Sequence, residues 1–177
     1  MNQKTDCIVS YRNVKYTRIE VSKDKIKIVV PEGTSNLYVE ELIKSRKNWI
    51  EEKINYFATL ENIAEKLPTY EHENLEDLVS SIINECSEVL KVKPNTISFR
   101  KMKKWGSCNP SRMKINFSKN LKFLPTHLIR YVVIHELCHL IEPRHNKKFW
   151  KLVSSLDPNY KENKKLLLCY SIKLKLT

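Results

Sequence analysis

The chain has 177 residues, 41% of them hydrophobic, with a formal net charge of +12, a length that supports one domain, or a domain with a small appendage, around a sizeable core. Its two glycines, Gly33 and Gly106, exclude a glycine-rich phosphate loop. No apolar run reaches the ~18–20 residues that a membrane span requires, and MNQKTDCIVS lacks the apolar core of a secretory signal, so a soluble, cytoplasmic protein without membrane contact is expected.

In the first segment, Val14, Tyr16 and Arg18 share one parity, and Ile26, Ile28 and Val30 share one in the next run. This period of two predicts a hairpin turning at Ser22–Lys25 and stopped by Pro31-Glu32-Gly33. From Asn36 onward, Val39, Ile43, Ile50, Ile54 and Phe57 recur at helical spacing. One long helix is expected, capped by Thr34 or Ser35 and ended by Pro68. PTYEHEN then reads as a short polar linker with His72 in solvent, dividing residues 1–67 from 68–177.

The next helix has Asn74 available as cap, with Asp77 partly mimicking the reciprocal bond of a capping box. Leu75, Leu78, Val79, Ile82, Ile83, Cys86, Val89 and Leu90 form its apolar stripe. TISFRKMKKWGSC and RMKINFSKNL read as two strands joined by a turn at Asn109-Pro110-Ser111.

After Leu124-Pro125-Thr126 a helix runs to about Ile141, because Pro143 cannot continue it. Leu128, Ile129, Val132, Val133, Leu137, Leu140 and Ile141 cover most of its circumference. Such a helix is buried nearly all round, and its polar groups need partners. Asn146 can cap a further helix through Phe149, Trp150, Leu152 and Val153, and Asp157-Pro158 separates that from a last one.

The buried helix carries His135-Glu136-Leu137-Cys138-His139. His135 and His139, four residues apart, lie on one face and can grip one ion, while Glu136 is rotated by ~100° and remains free to hold a water. This is the H-E-x-x-H arrangement, in which two imidazoles bind zinc and the glutamate takes a proton from the activated water. A third ligand is needed. His145, beyond the break at Pro143, is the choice; Glu142 is the rival ligand, better suited to a hydrogen bond with a histidine. Cys138 reads as a small apolar residue, His127 as a surface residue, and Tyr131 as packing or a group bonding a ligand or reaching the oxyanion.

The charge is unevenly spread. Residues 1–90 hold 12 Lys+Arg against 16 Asp+Glu, while residues 91–177 hold 20 against 4. The basic half points to a polyanionic partner, nucleic acid above all. The five cysteines show no C-x-x-C pairing and read as reduced thiols.

Trp105-Gly106-Ser107-Cys108, the leucine-proline lead into the helix, His135-Glu136-Leu137-Cys138-His139, His145 and Phe149-Trp150 together resemble the YgjP-like metallopeptidase family, most strongly over residues 96–170. The hairpin ending at Pro31 and the helix reaching Trp49-Ile50 resemble that family's amino-terminal part. The resemblance implies a zincin-like fold, zinc held by His135, His139 and His145, and Glu136 as general base. It also implies kinship with SprT-like and WLM proteases, some of which act on proteins crosslinked to DNA. Members commonly carry extra strands where this chain has only PTYEHEN.

The expected fold is α+β: an amino-terminal hairpin, then helices packed on a small, largely antiparallel sheet with the zinc helix beneath it. The expected activity is zinc-dependent hydrolysis of a protein or peptide. Trp105, Gly106, Ser107 and Cys108 are candidates for a strand that pairs with substrate, Gly106 permitting close backbone approach; Trp105 as core filler and Gly106 as a bulge is the competing account. Alternatives are a nucleic-acid-binding module with a structural zinc, or a zinc hydrolase of a non-peptide amide.

Overall fold

The structure, a computed structural model, describes residues 6–22 and 25–176. Packing divides the chain into two units, residues 1–65 and 66–177. Among the described residues no helix is long and apolar enough to cross a membrane.

Among the described residues the first unit holds three strands, β1 (Asp6–Arg12), β2 (Arg18–Val21) and β3 (Lys25–Pro31), in the order β1-β3-β2. β2 and β3 form the expected antiparallel hairpin, with Ser22 N–H donating to the Lys25 carbonyl at 2.9 Å. Lys23 and Asp24 of the expected turn lie outside the described residues. The alternation at Val14 and Tyr16 does not produce a strand; those residues lie in the bend before β2, and β1 instead pairs with β3 in parallel. Ile28 and Val30 of β3 are buried with Val39 of the following helix.

That helical stretch is two helices, α1 (Asn36–Ser45) and α2 (Lys47–Lys66), rather than one. Arg46 leaves helical geometry at φ −103°, ψ 5°. Ser45 donates its hydroxyl to the Leu42 carbonyl, and such back-bonding bends helices. Ser35, not Thr34, is the cap, accepting from Tyr38 N–H at 3.2 Å.

Residues 68–74, near the start of the second unit, are more than a linker. Tyr70 and His72 donate backbone N–H groups to Phe123 and Lys122, and the His72 ring nitrogen meets the Leu124 carbonyl at 2.9 Å. His72 is therefore partly buried and held, not free in solvent. α3 (Leu75–Leu90) follows; Asn74 occupies the cap position but its side chain makes no capping bond. The stripe is buried at Leu75, Val79, Ile82, Ile83 and Cys86, whereas Val89 is 65% exposed. Lys91 ends the helix in the left-handed region.

TISFRKMKKWGSC is two strands, β4 (Thr96–Arg100) and β5 (Gly106–Asn109), not one. β6 (Lys114–Ser118) lies between them, parallel to β4 and antiparallel to β5. Both sheets are thus mixed, which corrects the largely antiparallel expectation. The segment 101–105 carries the chain across, tied where Ser118 N–H donates to the Trp105 carbonyl and Ser118 Oγ donates to the Met102 carbonyl. The parallel pair is possible because the whole connection, residues 101–113, contains β5.

α4 (Thr126–Ile141) is the centre of the unit. Leu128, Ile129, Val133, Ile134, Leu137 and Cys138 are all fully buried; Ile141, at its end, is 44% exposed. α3 packs on α4 through the main core, and Arg130 of α4 donates to both Glu85 carboxylate oxygens of α3 at 2.6 Å. α5 (Lys147–Leu156) starts at the expected Asn146 cap, which accepts from Lys148 and Phe149 N–H. α6 (Tyr160–Lys173) closes the unit.

Candidate metal centre

α4 presents His135 and His139 on one face, and the turn after Pro143 returns His145 to them. His139 Nε2 and His135 Nε2 each lie 3.1 Å from His145 Nε2. The candidate ligand atoms of all three fall within 4.8 Å of one another. Hydrogen bonding does not account for this cluster, because a single Nε2 either donates once or accepts once and so serves one neighbour well. Burial, and then the neighbouring histidines and Lys164, push His135 down to about 3. Burial also lowers His139, against the bond to its backbone partner, Glu142. His135 and His139 are therefore neutral at pH 7, the state in which imidazole ligates. Tetrahedral zinc with bonds of ~2.0–2.1 Å separates its ligand atoms by about 3.3–3.4 Å, close to the 3.1 Å of the two pairs that include His145. The residues fit a metal ion and leave one position of a four-coordinate set for water.

Each ring is held differently. His139 Nδ1 meets the Glu142 carbonyl at 3.2 Å. The Glu142 carboxylate turns away and accepts from Arg144 N–H, so its part is played by its backbone, neither as ligand nor through a side-chain bond to a histidine. His135 Nδ1 is buried without a hydrogen-bond partner among the described residues. Packing orients that ring instead: Phe149, fully buried, has its ring centroid 4.9 Å from His135, 4.4 Å from His139 and 4.8 Å from His145. Trp150 stacks on His145 at 5.7 Å and on Tyr160 at 5.3 Å, with Lys164 Nζ over its ring.

The three histidines open on a cleft of about 470 Å³. Gly106, Ser107 and Cys108 of β5 line it, as do Lys104 and Glu136. Trp105, the remaining member of the expected substrate strand, is absent from the cleft wall and faces another cavity. β5 is an edge strand of its sheet. Glu136 is 6% exposed; burial pushes its carboxyl up to about 7, opposed by Lys104. Burial, with Glu136 adding to it, raises Cys108 to about 12, so that thiol stays protonated. The Cys138 thiol, fully buried and also raised to about 12 by burial, fills core space. His127 is exposed and remote from the cluster.

Lys104 and Phe149 were not singled out as site residues from the sequence. Lys104 is one lysine among many and carries no local signal. Phe149 sits on the apolar face of its helix, and only the fold brings that face under the histidines.

The chain is similar to a UTP pyrophosphatase of Escherichia coli (strain K12), with 34% identity over 50 residues. That match covers 28% of this chain and 30% of the relative, less than a third of the relative's length. The crystal structure of the metallopeptidase zymogen of Pyrococcus abyssi abylysin aligns with a TM-score of 0.48 at 21% identity, covering 51% of this chain and 91% of that one. The family described as YgjP-like, metallopeptidase domain matches residues 58–168, which include α3, the strands β4, β5 and β6, and all three histidines. On that match, the chain belongs to the YgjP-like metallopeptidase family.

Proposed function

We propose that this domain is a zinc-dependent peptidase of zincin-like arrangement, in which His135, His139 and His145 hold the ion and Glu136 is the general base. The observation that carries the reading is the convergence of three imidazole nitrogens in a cleft that Glu136 also lines. Zinc, when bound, supplies Lewis acidity: it lowers the pKa of water from ~15.7 towards ~7 and polarises the carbonyl under attack.

The remaining work falls to the chain. Glu136, with its carboxyl near 7, is suited to accept a proton from the attacking water and return it to the leaving amine at neutral pH. The outer edge of β5 offers backbone groups with which an extended peptide can pair beside α4. The excess of 20 Lys+Arg over 4 Asp+Glu in residues 91–177 supports proteins associated with nucleic acid as the target class.

The test is metal analysis combined with cleavage of protein substrates, with and without single- and double-stranded DNA. One zinc per chain is expected, lost in His135→Ala. Cleavage should vanish in Glu136→Gln with zinc retained. Native protein that neither contains nor takes up zinc would overturn the reading.

A second reading rests on Lys104, which lines the same cleft, and on the relative named UTP pyrophosphatase. A lysine ammonium is a phosphate partner, and the same water and base would cleave a phosphoanhydride of a nucleoside triphosphate. Pyrophosphate release from UTP that Glu136→Gln abolishes, with no peptide cleaved, decides for it.

A further inference from the structure

A second cavity, of about 240 Å³, adjoins the metal cleft. The two share Lys104, Gly106, His135 and Glu136. The rest of the second wall is apolar or aromatic: Trp105, Tyr131, Val132 and Leu167. These groups are held in place by the core. Tyr131 and Val132 are each 3% exposed. The Trp105 indole N–H donates to Ser171 Oγ at 2.8 Å, and that hydroxyl donates to the Leu167 carbonyl at 3.0 Å. The cavity is therefore formed before any ligand arrives.

Its chemistry differs from that of the cleft. The cleft gathers imidazoles, a carboxyl and the β5 backbone; the cavity beyond Glu136 offers indole, phenol and aliphatic surface. An apolar cavity of ~150 Å³ accepts benzene, so the volume here admits a phenyl ring with room to spare.

Resting on the peptidase reading, we infer that this cavity is a specificity pocket that takes the large apolar or aromatic side chain of a residue flanking the scissile bond. A substrate lying along β5 has its reacting group in the cleft, and the neighbouring side chain reaches the cavity that shares the Lys104, Gly106, His135 and Glu136 walls with it. Trp105 then serves neither as simple core filler nor as a contact of the reacting bond. It is a wall of the pocket.

The experiment is a calorimetric titration of zinc-loaded protein with two hydroxamic acids, acetohydroxamate and 3-phenylpropanohydroxamate. The hydroxamate group chelates the metal in both, and only the second carries an aromatic tail. The phenyl compound is expected to bind about tenfold tighter or more, the gain from burying a ring. Leu167→Phe, which fills the cavity, should bring that ratio towards one.

Equal affinities in the unaltered protein overturn the pocket. If neither compound binds, the metal centre is wrong, and the pocket is then read from toluene titrated against the methyl resonances of Val132 and Leu167. Shifts there support it, and their absence overturns it. Neither readout uses turnover, so failure to cleave peptides counts against the peptidase reading and not against the pocket.

Discussion

Gly106 lies directly against Glu136. A Cβ on Gly106 would stand 2.6 Å from the Glu136 Oε1, 2.7 Å from its Cγ and 2.8 Å from its Cδ. Real side chains do not approach so closely, and Glu136 is nearly buried, with little room to retreat. The glycine serves close approach of β5 to α4 rather than an unusual backbone angle, since the positive-φ glycine is Gly33.

Gly106→Ala should therefore displace the Glu136 carboxyl while leaving the histidines in place. The expected result is a fall in kcat of about a hundredfold, the scale of a 1 Å misplacement at a reacting centre. Zinc affinity should stay within about threefold of the original. A parallel loss of zinc would show that the glycine supports the three histidines and not Glu136 alone.

Phe149→Ala removes the ring that touches all three histidines. A buried phenylalanine truncated to alanine costs ~3–5 kcal/mol, so the melting temperature should fall clearly. Zinc affinity should drop by about tenfold or more, as it does when groups that orient ligands are lost. Trp150→Ala, at a half-buried position stacked on His145, should weaken zinc binding with a smaller loss of stability. Competition against a chromogenic chelator, alongside thermal melts, separates the two effects.

Glu142 and His145 make a second comparison. The Glu142 carbonyl, not its carboxylate, meets His139. Glu142→Gln should thus change zinc affinity by less than about threefold, whereas His145→Ala should lower it by about a hundredfold or more. Equal losses would mean that the carboxylate ligates in solution.

The Arg130–Glu85 pair predicts a pH dependence of stability. Its hydrogen bonds, and then the arginine charge, hold the Glu85 carboxyl below the ordinary value of 4.5. A carboxyl depressed in the folded state stabilises fully above its unfolded pKa, and that contribution fades as pH falls through the folded value. Glu85→Gln should lower the melting temperature by about 1–3 °C at pH 7, a small effect because the pair is largely exposed. The difference should shrink below pH 4.5 and not grow. Melts of both proteins across pH 3–7 provide the check.

Zinc itself should stabilise the fold. A ligand at about a thousand times its Kd adds ~4 kcal/mol to the folded state when the unfolded chain does not bind it. Adding zinc should raise the melting temperature of the chelator-treated protein, and His139→Ala should abolish that rise.

Much of this was legible in the chain. The spacing of His135 and His139, together with a run of apolar neighbours, places two imidazoles on one side of a helix. Pro143 marks where the helix must stop, which lets His145 return. Asn146 reads as a cap and is one. Strand composition was less informative. TISFRKMKKWGSC carries no turn residue strong enough to announce that it forms two strands on opposite sides of β6, and the parallel partner β1 has no periodicity that names its neighbour. The linker 68–74 looked polar and free because its contacts are backbone bonds to residues 122–124, which side-chain pattern does not record.

What the sequence determined by itself is therefore what backbone geometry sets locally: a fixed rise and rotation per residue place positions four apart on one face, whatever surrounds the helix. Tertiary structure decided everything that depends on which surfaces meet. It set Gly106 against Glu136, Phe149 beneath the three histidines, Lys104 on the cleft and Trp105 on a pocket of its own. Such contacts join segments far apart in the chain, and close packing selects them by shape, which leaves no period in the sequence to read.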